Sequence, residues 1–492
     1  MKLKNCLICI VVPFSVFITT CLAIAQVTVN TEGTLRFFTT LLLLDDEDGI
    51  FFAHEAGDFG VVKGEARLRF VGDVTDQASY YLRLDFIYKD PSEVTALEDT
   101  EGIEWEETDP VDTNVYEAYM NIIDAGTEGL ELKIGKQRIK WGSADKLHVI
   151  DNLNPNDFAN LFTFDLDYFG EKIPVTTMLL TYYQSDWKLE SAFIFSPHQA
   201  SFPDDYWNSI ETAHGQVLED KYGIPISPEI ITTSLDIEED PNVGRLSFGF
   251  RFSRIIRNVD TGFSYYKGYL DVPVLKQKEV SLVPGSTSAS LSYFYPEMQV
   301  VGLDLAGELK SIGYWAEVAC FFLENSRVRS IVNTSEGTTV NRSKLFQDLY
   351  PKWTVGFDYT FGVGTGLYVN FQYNHGSSDE VGYNNDVEKR YDLVPLGLMG
   401  EPEDYFASDI RYEIQSLDLA LELFSLIEVA DFDDFKDKSI FASFPKVSYK
   451  PTDGTKLEMG TTLGYTKSNI YDTKFGMLKK YGFIYFLAEL HF

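Results

Sequence analysis

The segment LKIGKQRIKWGSADKLHVIDNLNPNDFANLF, residues 132 to 162, gathers Lys133, Lys136, Arg138, Lys140 and Lys146 in a chain whose formal net charge is −34. Neither a nucleophile with a paired base nor a metal-ligand spacing accompanies these cations, so the chemistry they offer is electrostatic. Fixed positive charge lowers the cost of drawing an anionic or hydroxyl-rich solute out of bulk water. Downstream, Asp151, Asn154, Pro155 and Asp157 carry turn chemistry. Asn154 suits a helix N-cap, Pro155 the first helical position and Asp157 the first turn, which predicts a short helix from Pro155 to Phe162. DNLNPND is not a calcium loop, because Leu153 stands at its third position, where an oxygen ligand is needed.

Bond-making chemistry finds little support. The histidines, His54, His148, His198, His214, His375 and His491, fall mostly in predicted loops and lack a recognisable serine partner motif. Cys6, Cys9 and Cys21 lie in the N-terminal leader, leaving Cys320 in an apolar strand-like setting as a small packing residue. No Cys or His spacing supports a metal site, and no cofactor is expected. An excess of 75 acidic over 41 basic residues argues against nucleic acid as a partner.

The leader pairs Lys2 and Lys4 with an apolar run from Leu7 to Phe17 and the small-residue pattern Ala23-Ile24-Ala25, which reads as a cleaved secretory signal over residues 1–25. Its removal leaves 39 basic against 75 acidic residues, a charge of −36.

The elements that position the cations are written in period-2 alternation. Examples are GEARLRFVGD from Gly64, SYYLRLDFIY from Ser79, GRLSFGFRFSRI from Gly244, TVGFDYTF from Thr354 and GLYVNFQYN from Gly366. A soluble sandwich alternates too, but three further features favour a membrane barrel. The alternating segments have the length, about ten residues, that a tilted strand needs to cross the hydrocarbon layer. Short turns near 72–77, 124–129, 184–187, 256–259, 308–311, 361–365 and 451–455 alternate with long polar connections, among them 142–171, 197–243, 271–290 and 325–350. The last strand, YGFIYFLAELHF, ends on Phe492 and resembles the signature by which barrel assembly machinery recognises its clients.

About 17 strands are visible, and parity demands an even number, which a turn near Gln415-Ser416 supplies. Residues 26–492 are therefore expected to form an all-β, antiparallel up-and-down transmembrane barrel of about 18 strands, with 16 as the alternative.

In such a barrel Lys133, Lys136, Gln137, Arg138, Lys140, Arg67, Arg69, Arg83, Asp85, Arg251 and Glu317 are the candidate pore-lining residues. A bulge at Gly135 would hold Ile139 and Trp141 on the lipid side and turn Arg138 and Lys140 inward. Residues 142–171, with Asp151, Asn154, Pro155 and Asp157, either enter the lumen as a constriction or cap the rim. The acidic runs at 45–48, 104–107, 238–240 and 431–434 read as solvated loops.

IGKQRIKWG followed by IDNLNPNDF resembles the Gly-Arg/Lys-Gln strand and Asn-Pro turn of large Gram-negative porin-like families, including the alginate-export type. The hairpin VGLDLAGEL to YWAEVACFF at 301–322 is similar in style. This resemblance implies passive export or uptake through a charged channel in the bacterial outer membrane, without catalysis. The solutes would be small and hydrophilic, anionic or saccharide, and the partners outer-membrane lipid, lipopolysaccharide and the assembly machinery. A lipase- or protease-type barrel enzyme and an adhesive or structural surface barrel are the alternatives.

Overall fold

The computed structural model describes residues 29–43, 59–89, 111–157, 172–196, 199–201, 231–235, 246–283, 286–324, 327–362, 366–376, 403–467 and 482–492. The leader lies outside them. The described strands, in chain order, are β1 (Asn30–Leu42), β2 (Phe59–Thr75), β3 (Ala78–Lys89), β4 (Val111–Ile122), β5 (Leu130–Gln137), β6 (Val175–Gln184), β7 (Trp187–Ile194) and β8 (Ile231–Leu235). They continue as β9 (Ser247–Ile256), β10 (Val259–Tyr269), β11 (Val274–Val283), β12 (Ser286–Phe294), β13 (Glu297–Leu309), β14 (Ile312–Leu323), β15 (Arg327–Thr334) and β16 (Gly337–Lys344). The remainder are β17 (Tyr350–Phe361), β18 (Leu367–His375), β19 (Asp404–Ile414), β20 (Leu419–Val429), β21 (Ser439–Thr452), β22 (Thr455–Thr461), β23 (Leu463–Thr466) and β24 (Phe483–His491).

Nineteen of these form one antiparallel sheet, and β1 pairs with β24 to close it. β22 and β23 both pair with β21 and are halves of one strand interrupted at Thr462, so the barrel has 18 strands. Alternation decides which side each residue takes. On β1, Leu35 and Phe37 are 46% and 50% exposed while Arg36 and Phe38 are 5% and 4% exposed. The same rule leaves Ile134, Phe263, Val355, Phe371, Phe406, Leu421 and Met459 on an apolar exterior of the kind lipid accepts.

Tight turns gather at one end. Arg257-Asn258 and Lys310-Ser311 both take positive φ, at 50° and 65° and at 51° and 68°, the backbone twist that two-residue hairpins favour. The long connections leave from the other end.

Those connections are not all loop. β8, β11, β12, β15 and β16 form a second, five-stranded sheet in the order β16-β15-β11-β12-β8, with β11–β15 and β12–β8 parallel. The stretches 197–243, 271–290 and 325–350, read from sequence as polar loops, thus contain strands. Val280, Ala289, Leu291, Tyr293 and Val328 on one face of this sheet belong to the same apolar cluster as Val300, Ala319 and Phe321 inside the barrel.

Candidate pore constriction

β5 supplies the first half of the cationic run. It keeps an unbroken register through Gly135, which lies opposite Tyr119 on one side and Thr177 on the other. The irregularity predicted at Gly135 falls instead on β4, where Arg83 and Leu84 face Glu117 and Val115 across Tyr116. Lys133, Gly135 and Gln137 therefore share the inward side with buried Leu179, Thr177 and Val175. Lys136, proposed as pore-lining, takes the outward parity beside Thr176. Its ammonium turns back to donate to the Val115 carbonyl at 2.7 Å and to Asn114 Oδ1 at 3.4 Å.

After Gln137 the chain leaves the wall and enters the lumen. Ile139 and Trp141 do not face lipid; Trp141 is 1% exposed, packed with Ile139, Val149, Ile150 and Leu153 against the inner wall. A dry lumen rewards apolar side chains as lipid does, which is why alternation alone mistook one for the other. The floor beneath them is Gly249 on β9, where an added Cβ would lie 2.7 Å from both Trp141 and Leu153.

Asn154 holds the exit and return of the segment together. Its Oδ1 accepts the Ile139 N–H at 2.8 Å, and its Nδ2 donates to the carbonyls of Ile173 at 2.7 Å and Gln137 at 3.3 Å. Gln137 Nε2 donates to the Thr177 carbonyl at 3.2 Å. Asn156 donates from its backbone N–H at 2.7 Å and from Nδ2 at 2.8 Å to Asp271 Oδ2. Pro155 is buried, its carbonyl accepting from Ile173 N–H at 2.8 Å. Asn156 and Asp157 form β-bridges with Lys172 and Ser201, so 155–157 are not the first turn of a helix; the rest of that prediction, 158–162, lies outside the described residues.

The far anchor is Glu317, on the inner face of β14. Its Oε1 accepts the N–H groups of Ser143 at 2.7 Å and Ala144 at 2.8 Å, and its Oε2 those of Val149 at 3.1 Å and Ile150 at 3.3 Å. Four amides converging on one carboxylate provide the charge-assisted hydrogen bonds that a buried anion needs. Gly142, at φ 95°, makes the approach; a Cβ there would collide with the Glu317 carboxylate.

Further round the wall, Gln372 on β18 accepts from Lys146 N–H at 3.3 Å and donates to Thr354 Oγ1 at 2.7 Å. Asn370 donates to Asp145 at 2.9 Å, and Lys146 meets Asp409 of β19 at 3.7 Å. Leu147 settles into a second apolar cluster with Phe424, Leu426 and Tyr405. From β5 to β14, β18 and β19, residues 138–157 thus span the barrel interior. The alternation of NFQYNH placed Asn370 and Gln372 inward, but no sequence signal marked them, Asp271 or Gly249 as anchors.

Most other predicted lumen charges are paired. Arg83 makes two contacts to Asp85, at 2.8 and 2.6 Å, and stacks 3.9 Å over the Tyr116 ring. Arg67 meets Glu65 at 2.8 Å, Arg69 meets Glu32 at 3.8 Å, and Arg251 meets Asp304 at 2.7 Å. Lys133 sits 5.4 Å over the Tyr119 ring. Arg138 is exposed, 3.8 Å from Glu117, and Lys140 is exposed with no ion-pair partner among the described residues.

Beside the crossing segment a cavity of about 1040 Å³ runs toward the tight-turn end, between Asp145 and Lys146 on one side and Asp409, Arg411, Glu422, Lys446 and Glu458 on the other. Within the crossing segment, burial pushes the Asp151 carboxyl up, opposed by Lys172, the Trp141 N–H and Lys140. Burial, with Lys140 and Lys172 nearby, holds His148 down to about 3, which keeps it neutral.

Fold and site define a class: a closed 18-stranded barrel with a lipid-type exterior and a polar lumen crossed by its own chain. No protein-family model and no curated protein matches the sequence. Among solved structures, the chain is similar to OccAB3 of Acinetobacter baumannii at 10% identity and TM-score 0.49, over 94% of this chain and 99% of that one. It is also similar to OccK8 (OprE) of Pseudomonas aeruginosa at 10% identity and TM-score 0.48, over 94% and 98% respectively.

Proposed function

We propose that the protein is a porin-like channel of the bacterial outer membrane that passes small hydrophilic solutes, anionic ones or saccharides, without catalysis. The observation that carries this reading is the segment 138–157. It crosses the lumen, sets Asp145 and Lys146 beside an open polar cavity of about 1040 Å³, and leaves Arg138 and Lys140 exposed on the same segment. Paired charges on the facing wall keep its cations extended, while Lys140 offers a charge to solute. Residues 1–25 act as the export signal, and the strand ending in Phe492 engages the assembly machinery. The alginate-export affiliation belongs to the same proposal and rests on IGKQRIKWG and IDNLNPNDF.

Planar-bilayer recording of the purified barrel tests the reading. Stepwise conductance with a reversal potential favouring anions is expected. A silent protein that hydrolyses lipid or peptide would replace the channel by the enzyme alternative.

A further inference from the structure

The second sheet brings to the channel mouth a set of cations that the crossing segment does not use. β15 and β16 pair antiparallel with Arg327 opposite Lys344 and Arg329 opposite Arg342. Like charges directly across a ladder repel, so this register is costly without an anion between them. Among the described residues Lys344 pairs with Asp348 at 2.6 Å, whereas Arg327, Arg329 and Arg342 are exposed and meet no carboxylate.

Where these cations face follows from what the other side of the sheet touches. Val280, Ala289, Leu291, Tyr293 and Val328 project from that other side and join Val300, Ala319 and Phe321, inward residues of β13 and β14, in one apolar cluster. Leu345 and Phe346, which lead from β16 back to the wall, are buried in the same cluster. The sheet is therefore seated on the lumen side of the barrel wall, and its cationic side is turned from that wall to the water of the long-connection mouth.

The neighbours on that side define the anion it suits. Arg329 is level with Gln277 on β11, and Gln277 with Ser292 on β12, so an amide and a hydroxyl continue the row of the guanidinium pair. Glu279, on the same side of β11, lies a row away, level with Ile331. Its carboxyl accepts from Asn333 Nδ2 at 3.0 Å, which draws it a further row from the arginines. Directly opposed side chains start about 5 Å apart, close enough for one small anion to meet both. Two guanidinium forks then match a dianion with three acceptor oxygens, the form a phosphate monoester takes near neutral pH. A monocarboxylate, with a single charge, is satisfied by one fork.

We propose that Arg329 and Arg342 form an entry site at the outer mouth for soluble phosphate monoesters of polyols, an inference that rests on the channel reading above and narrows its anionic solutes to one class. Phosphate held there removes the repulsion that the register builds in, while Gln277 and Ser292 meet the hydroxyl-bearing part of the solute. Because both arginines are exposed, salt screens the contact and the solute leaves readily, as a site feeding a pore requires.

The full-length barrel, purified in detergent and freed of lipopolysaccharide, is titrated by calorimetry at low salt with glycerol phosphate, glycerate and glycerol. Glycerol phosphate is expected to bind about tenfold tighter than glycerate, and glycerol to give no heat. R329Q/R342Q should weaken the phosphate ester about tenfold, in line with lost charge-assisted contacts. K310Q, in a tight turn at the other end of the barrel, should bind it like the wild type. Heat-modifiable gel migration checks folding, and R342Q alone serves if the double variant misfolds.

Glycerate binding as tightly as glycerol phosphate overturns the proposal, as does undiminished affinity in the arginine variants or the absence of any binding. Ion conductance of the same preparation in planar bilayers separates the two readings. A barrel that conducts without binding the ester sinks the entry site alone; one that binds it without conducting sinks the channel, and the entry role with it.

Discussion

The two sides of the lumen are made of the same alternating strands and hold opposite contents. In the long-connection half of β6 to β14 the inward positions include Thr177, Leu179, Ala192, Ile194, Gly249, Val300 and Phe321, onto which Trp141, Ile150 and Leu153 pack, while Glu190, Arg251, Asp304 and Glu317 follow nearer the tight turns. Along β1 to β3 and the tight-turn half of β19 to β24 they are Arg36, Lys63, Glu65, Arg83, Asp85, Arg411, Lys446 and Glu458, paired through contacts such as Lys63–Glu65 at 2.6 Å and Lys456–Glu458 at 3.0 Å. Small and apolar inward residues let one wall hold a chain segment; charged ones keep water against the other. The crossing segment thus packs its largest apolar side chain, Trp141, on the first wall and reaches the second with Asp145, Lys146 and Leu147.

Removing the far anchor should break that difference most. Glu317→Ala leaves four amides without their acceptor, each a loss of about 1–3 kcal/mol. Bilayer recording should then show conductance raised several-fold and noisy; an unchanged step would mean that 138–157 does not limit flow. Next, Trp141→Ala removes the largest side chain of the dry side, at about 3–5 kcal/mol of local stability. Limited proteolysis should cut within 138–157 faster than in the wild type while the barrel stays heat-modifiable.

On the wet side, Arg138→Ala with Lys140→Ala should leave the fold intact and lower the anion-to-cation permeability ratio by roughly twofold, read from reversal potentials. If that ratio does not move, the two cations do not face the permeating solute. The smallest effect concerns acid. His148 titrates lower in the folded chain than its ordinary 6.5, so the unfolded segment binds the extra proton and packing weakens as pH falls from about 6.5 toward 3. His148→Gln should flatten the acid-side change in conductance; a wild-type profile already flat there would remove the role given to His148.

The barrel was legible because Arg67 to Phe70 and Leu82 to Phe86 alternate with period 2, and because tight turns and long connections take turns along the chain. The second sheet was not, since Ser286 to Ser292 and Thr338 to Ser343 are polar enough to pass for loop while pairing only with other connections. Nor was the inward path of Ile139 and Trp141, as nothing in their spacing distinguishes lipid from a dry interior. Glu317 was visible as a lumen charge, yet its partners lie 167 to 174 residues away and are backbone amides, which carry no sequence signal.

The seam where the ladder closes has a consequence for biogenesis. Thr34 and His491, 457 residues apart, meet across β1 and β24, and Gly33 exchanges backbone hydrogen bonds with Phe492 at 2.7 and 2.9 Å. Until that contact forms, the sheet keeps two edges of unpaired N–H and C=O groups, which hydrocarbon does not tolerate and which other chains can join. Closure is also the contact of greatest sequence separation in the ladder, the kind that folding reaches slowly. Membrane entry and seam closure therefore have to be one coupled event, and a chain delayed there would aggregate edge to edge rather than unfold.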